Sequence, residues 1–174
     1  MTTTTRRWLA WDGALLRRLA RIESRLFLRA MRLLTRMGDA ESWLLGVLIL
    51  AAGGPDGRRQ AALLALAVGL ATLLSQALKR LAGRPRPSVG LAEFAARIEC
   101  PDEFSFPSGH TAAAFAVAAA FLGEPMPLAL TAVSLASGIG LSRMALGAHY
   151  PLDVAAGALL GAGCGFAARF WLGG

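Results

Sequence analysis

The chain has 174 residues, enough for one domain, and is 55% hydrophobic with a mean hydropathy of +0.52. Its 18 basic residues exceed its 11 acidic ones, giving a net charge of +7. A basic surplus can signal nucleic acid, but no nucleic-acid module is present and the apolar runs are long, so anionic lipid or a phosphate ligand is the expected partner.

In chain order, residues 6–37 read RRWLAWDGALLRRLARIESRLFLRAMRLLTRM. Leu15, Leu19, Ile22, Leu26, Met31, Leu34 and Met37 recur at roughly helical spacing, and arginine fills much of the remainder. Arginine every few residues excludes a span. The pattern predicts a basic amphipathic helix in the membrane interface over 1–37, ahead of a transmembrane catalytic domain over 38–174. The N-terminus has no continuous apolar run, so no cleaved signal peptide is expected.

Five apolar stretches of span-like character follow: 42–54, 60–78, one starting at His110, 128–141 and 151–172. The first and third are short for a hydrocarbon core of ~30 Å. PDGRR at 55–59 reads as the turn closing the first stretch. Pro151 suits the first turn of a helix. Gly157, Gly161 and Gly165 fall on one helix face, where they let a neighbouring backbone approach. A longer polar segment, 83–107, carries Glu93, Glu99, Asp102 and Glu103, with a short helix expected over Leu91–Ile98. Cys164 lies in an apolar stretch and Cys100 in a polar one, so no disulfide is expected. The predicted fold is all-α: a polytopic membrane bundle of about five transmembrane helices plus the N-terminal interfacial helix.

With one crossing per stretch, three polar segments fall on one membrane face: KRLAGRPRP (79–87), PSGH (107–110) and SRMALGAHYPLD (142–153). The only lysine, Lys79, and the only histidines, His110 and His149, all lie there. Lys79, Arg86 and Arg143 would repel one another in one pocket unless an oxyanion joined them, and guanidinium forks suit phosphate. Pro-Ser-Gly-His ahead of an apolar run marks a helix N-terminus. Ser108 can cap it, Gly109 lets the backbone approach a ligand, and the exposed N–H groups favour an anion. Asp153, four residues after His149, can accept from one ring nitrogen and leave the other as a nucleophile. His110 can protonate a leaving oxygen. The set describes phosphoryl transfer with no metal and no cofactor. Singly, each residue has a plainer reading: Lys79, Arg80 and Arg84 as interfacial anchors, Asp153 as a helix-dipole partner, Ser142 as packing. Their conjunction on one face favours the site.

These motifs, K-x6-R-P, P-S-G-H and S-R-x5-H-x3-D, closely resemble those of the phosphatidic acid phosphatase type 2 superfamily. The superfamily comprises membrane lipid phosphatases related to vanadium haloperoxidases, and the likeness covers roughly residues 40–172. It implies that His149 attacks phosphorus to form a phosphohistidine, that Asp153 orients it, and that His110 protonates the leaving group. Lys79, Arg86, Ser108, Gly109 and Arg143 would hold the phosphoryl oxygens. It also implies an active site on the outer side of a bacterial inner membrane, whereas the arginine-rich N-terminus favours the cytoplasm. Phosphatidic acid, phosphatidylglycerol phosphate and undecaprenyl diphosphate all fit as substrates. The alternatives are a lipid phosphotransferase of the same fold and a non-catalytic lipid-binding or transport protein.

Overall fold

The computed structural model describes residues 12–19, 21–90, 97, 98, 100 and 102–172. Among them the regular structure is helical, and the one β-type pairing is an isolated bridge between Pro85 and Phe104. Residues 12–19 form α1 and Arg25–Met37 form α2. The expected single basic helix is therefore interrupted. Ser24 stops continuity by taking the N-cap of α2, its hydroxyl accepting from Phe27 N at 3.4 Å. Residues 6–11 of that expected helix, and nearly all of the one expected over Leu91–Ile98, lie outside the described residues, as do Glu93 and Glu99.

The apolar helices are α3 (Ala40–Ala51), α4 (Gly54–Ala82), α6 (Gly109–Ala120, continued by a 3-10 turn over Phe121–Gly123), α7 (Met126–Ala145) and α8 (Pro151–Leu172); α5 is a short helix at Pro87–Gly90. Of these, α4, α7 and α8 are long and apolar enough to cross a membrane, whereas α3 and α6 are shorter. PDGRR is the first turn of α4 rather than a loop. Proline is favourable at the start of a helix, where its missing N–H costs nothing, so the α3–α4 connection shrinks to Ala52 and Gly53.

Helix α6 is the centre of the bundle. Its Ala112, Ala113, Ala114, Ala116, Ala118 and Ala119 are buried among α4, α7 and α8. Small side chains bring the helix axes close, and the glycine stripe of α8 completes the fit. A Cβ on Gly157, Gly161 or Gly165 would strike the carbonyl oxygens of Ser108, Ala112 and Ala116 respectively. The outside is greasy: Leu73, Leu159 and Phe170 are 71%, 78% and 82% exposed, as lipid-facing side chains should be. Helix α2 lies against α7 with Met31 and Thr35 buried and Arg25, Arg29, Arg32 and Arg36 exposed. Cys100 and Cys164 are free thiols.

Candidate active site

The three polar motifs meet at one end of the bundle. Lys79 comes from the last turn of α4, Arg143 from the last turn of α7, and Gly109 and His110 open α6. His149 sits just ahead of α8 in a turn made possible by Gly147, whose φ of 76° is left-handed. Asp153 occupies the first turn of α8. Ser108 N donates to Asp153 O at 2.9 Å, tying the starts of α6 and α8 together.

His149 is 1% exposed and held at both ring nitrogens. Nδ1 stands 2.7 Å from the Ser105 carbonyl, which can only accept, so Nδ1 carries the hydrogen. Nε2 therefore bears the lone pair, and the Arg86 Nη1 atom lies 3.3 Å from it. The expected carboxylate partner is displaced: Asp153 Oδ2 is 3.8 Å from Nδ1, beyond hydrogen-bond reach. Arg84 draws it aside, with Nη1 2.6 Å from Asp153 Oδ1, while Tyr150 N donates to Oδ2 at 2.8 Å. Burial, reinforced by the Arg143 and Arg86 charges against the opposing pull of Asp153, lowers the His149 pKa to about 4, leaving the ring neutral near pH 7.

The buried cations are partly satisfied from within. Asp102 bridges them, its carboxylate 2.6 Å from Lys79 Nζ and 2.7 Å from Arg86 Nη2. Arg86 also donates to the carbonyls of Asp102 and Ala148, at 2.7 and 2.8 Å. Burial raises the Asp102 pKa, but hydrogen bonds and charge from Lys79 and Arg86 outweigh it and hold the carboxyl below the usual range. Arg143 donates to Thr35 Oγ1 at 2.6 Å, and its buried Nε has no partner among the described residues. Ser108 occupies the N-cap of α6, yet its hydroxyl makes no capping bond; it accepts from Thr111 Oγ1 at 2.9 Å instead. The amide N–H groups of Gly109 and His110 are left without partners inside the helix. Ser142 is buried and donates to Ile139 O at 2.6 Å, as packing requires.

A cavity of about 400 Å³ joins these groups to an apolar wall. Lys79, Arg86, His110, Arg143 and His149 line it, and it continues past Trp43, Leu44, Val47 and Val68 of α3 and α4. One space thus offers cations for a polar head and a greasy flank for a tail. Among the described residues, no group of three His, Cys, Asp or Glu side chains stands where it could hold a metal ion.

Several site residues carry no motif signal. Asp12 is fully buried, bonded to Arg84 Nη2 at 2.5 Å and Leu152 N at 3.0 Å. Arg84 stacks 4.1 Å above the Tyr150 ring, so it is a structural tie rather than an interfacial anchor. Thr35, Asp39 and the Ser105 carbonyl were equally silent in the sequence.

Against known proteins, the model of the PAP2 superfamily matches residues 60–173. The decaprenylphosphoryl-5-phosphoribose phosphatase of Mycobacterium tuberculosis is 37% identical over 123 residues, covering 71% of this chain and 67% of that one. Among solved structures, Aquifex aeolicus LpxE superposes with a TM-score of 0.80 at 29% identity, over 90% of this chain and 93% of that one. The first transmembrane PAP2 type phosphatidylglycerolphosphate phosphatase from Bacillus subtilis gives 0.81 at 27% identity, over 98% and 87%.

Proposed function

This chain belongs to the PAP2 superfamily of membrane phosphatases, and on that premise we propose that it hydrolyses a lipid phosphate or diphosphate through a phosphohistidine. The observation that carries the reading is the continuous cavity with three cations and a neutral histidine at one end and α3–α4 side chains at the other. An amphiphile with a phosphorylated head matches both halves. The M. tuberculosis and B. subtilis relatives, named for a decaprenylphosphoryl sugar phosphate and a phosphatidylglycerol phosphate, support that substrate class.

His149 Nε2 donates its lone pair to phosphorus, and the bond from phosphorus to the leaving oxygen breaks. His110 gives that oxygen a proton. A water molecule then attacks the phosphohistidine, returning a proton to His110 and releasing inorganic phosphate and free His149. Lys79, Arg86, Arg143 and the N–H groups at Gly109 and His110 hold the phosphoryl oxygens throughout. Asp153 acts on His149 through the Tyr150 N–H and through Arg84, whose carbonyl accepts from Ser105 N, rather than by a direct bond. Because three side-chain cations neutralise the phosphoryl group, no divalent ion is required. The basic α2 lies along the membrane at the catalytic end, and that end faces the outer side of a bacterial inner membrane, a reading supported by the family resemblance and opposed by the arginine-rich N-terminus.

The test is a phosphate-release panel over phosphatidic acid, phosphatidylglycerol phosphate and undecaprenyl diphosphate, run in EDTA. Release from at least one lipid is expected. Activity that needs added magnesium overturns the metal-free mechanism, and binding of all three lipids without release returns the chain to the transport or binding class.

Asp102 gives a separate prediction. A phosphoryl group that takes Lys79 and Arg86 must displace the carboxylate between them. Asp102→Asn keeps the shape and removes the competing charge, so the inhibition constant for inorganic phosphate should fall about tenfold, with kcat within a few-fold of wild type. A fall in kcat with unchanged phosphate affinity would instead make Asp102 an organiser of the cations during turnover.

A further inference from the structure

We propose that Asp39 is the positioning residue for proton transfer to the leaving group: its carboxylate orients the His110 imidazole and stabilises its protonated form. This rests on the phosphatase reading above. Asp39 lies outside the segment that matches the superfamily, which begins at residue 60, so this part of the proton-transfer machinery comes from the chain's own N-terminal region.

The geometry is direct. Asp39 Oδ1 is 2.8 Å from His110 Nε2. Among the described residues Nδ1 has no partner, and it is the nitrogen left to present a proton to the substrate. The plainer reading of Asp39 is an N-cap for α3, where aspartate is common. It does occupy that position, with extended φ and ψ of −73° and 158°, but its side chain makes no capping bond. The Asp39 carbonyl serves the helix start instead, accepting from Ser42 N at 3.1 Å and Trp43 N at 3.3 Å. The carboxylate is thereby free for the ring.

The bend that delivers it is built for close approach. A Cβ on Gly38 would stand 3.2 Å from His110 Cδ2 and 3.0 Å from Ile139 Cγ2, so glycine lets the α2–α3 elbow pass beneath the ring. Trp43 Nε1 donates to Gly38 O at 3.1 Å and Ser42 Oγ to Arg36 O at 2.7 Å, fixing the elbow. The other charges facing His110 are Lys79 of α4 and Arg143 of α7, both cations. Without Asp39 a protonated His110 would meet positive charge on two sides. With it, the ring has one fixed counter-charge and one fixed orientation. When the leaving oxygen takes the His110 proton, the ring becomes neutral and Asp39 keeps the Nε2 hydrogen bond, ready for the proton that water supplies in the second step.

The test compares two esters with the same alkyl tail, an alkyl phosphate and a nitrophenyl phosphate. The alkoxide needs protonation; the nitrophenolate leaves as a stable anion. Asp39→Asn should lower kcat on the alkyl ester about 30-fold, inside the ~10²–10⁴-fold that a general acid contributes. On the nitrophenyl ester it should lose no more than about threefold, with KM little changed for both. In a His110→Ala background Asp39→Asn should add nothing on the alkyl ester, because its effect runs through the missing ring. Asp39→Ser, which retains an N-capping side chain, repeats the measurement if the asparagine variant folds poorly. Equal losses on both esters, or no loss on either, overturn the inference. If the wild-type chain releases no phosphate from either ester, the phosphatase reading fails and takes this inference with it.

Discussion

His149→Ala should reduce phosphate release by about 10⁴-fold or more, since removing one member of a catalytic unit removes nearly all of its action. The argument starts from the tautomer. Ser105 O fixes the hydrogen on Nδ1, and burial keeps the ring neutral, so the lone pair on Nε2 is available at pH 7. Alanine offers no nucleophile in its place, and water cannot occupy the same in-line position with the same basicity. The variant also strands the Ser105 carbonyl and loosens Arg86, which costs about 1–3 kcal/mol in a buried setting. Binding separates that structural loss from the chemical one. Lys79, Arg86 and Arg143 remain, so the variant should still bind inorganic phosphate within a few-fold of wild type. Trapping with radiolabelled substrate should give a base-stable, acid-labile phosphoprotein for the wild-type chain and none for the variant. Retention of a tenth of wild-type turnover would show that His149 is not the nucleophile.

Gly161→Leu should abolish folding into the active bundle, the second large effect expected. At this position a side chain meets the carbonyl and Cα of Ala112, which are backbone atoms of the central helix and cannot rotate away. The two helices must part. Overpacking in a close-packed interior typically costs 1–3 kcal/mol even for modest additions, and a leucine against backbone lies at or beyond the top of that range. The loss falls on the site because α6 and α8 carry its halves: Ser108, Gly109 and His110 on one, His149 and Asp153 at the start of the other. The Ser108 N to Asp153 O bond is the link that separation breaks. Gly161→Ala should show a graded version, with a lower unfolding temperature in detergent micelles and reduced kcat. Gly163 is the control, since nothing lies within 4 Å of a Cβ there, and Gly163→Ala should leave both unchanged or raise stability slightly. If Gly161→Leu folds and turns over like Gly163→Ala, the α6–α8 contact does not hold the site together.

Much of this molecule is written locally. Apolar stretches place α4, α7 and α8 because burial in lipid demands long runs of apolar residues with satisfied backbones. Helical periodicity alone puts Gly157, Gly161 and Gly165 on one face. The motifs name Lys79, Arg86, His110, Arg143 and His149 because phosphoryl chemistry needs those residue types, and alternating span direction brings their segments to one end. Local rules failed where two of them competed. PDGRR has turn composition, yet Pro55 at the first turn of α4 made it helix; Ser108 has a capping side chain, yet Thr111 claimed it.

The partners of the motif residues were decided only by the tertiary structure. Lys79 meets Asp102 across 23 residues, His149 meets the Ser105 carbonyl across 44, His110 meets Asp39 across 71, Arg84 meets Asp12 across 72 and Arg143 meets Thr35 across 108. No periodicity links such distant positions. Their pairing depends on how far the alanine face of α6 lets α8 and α7 approach, and on where α2 then settles along α7. A backbone carbonyl such as that of Ser105 has no residue type to betray it, and an aspartate looks the same in sequence whether it caps a helix or holds a histidine. Residue chemistry therefore named the candidate groups, while helix packing alone fixed which neighbours they meet.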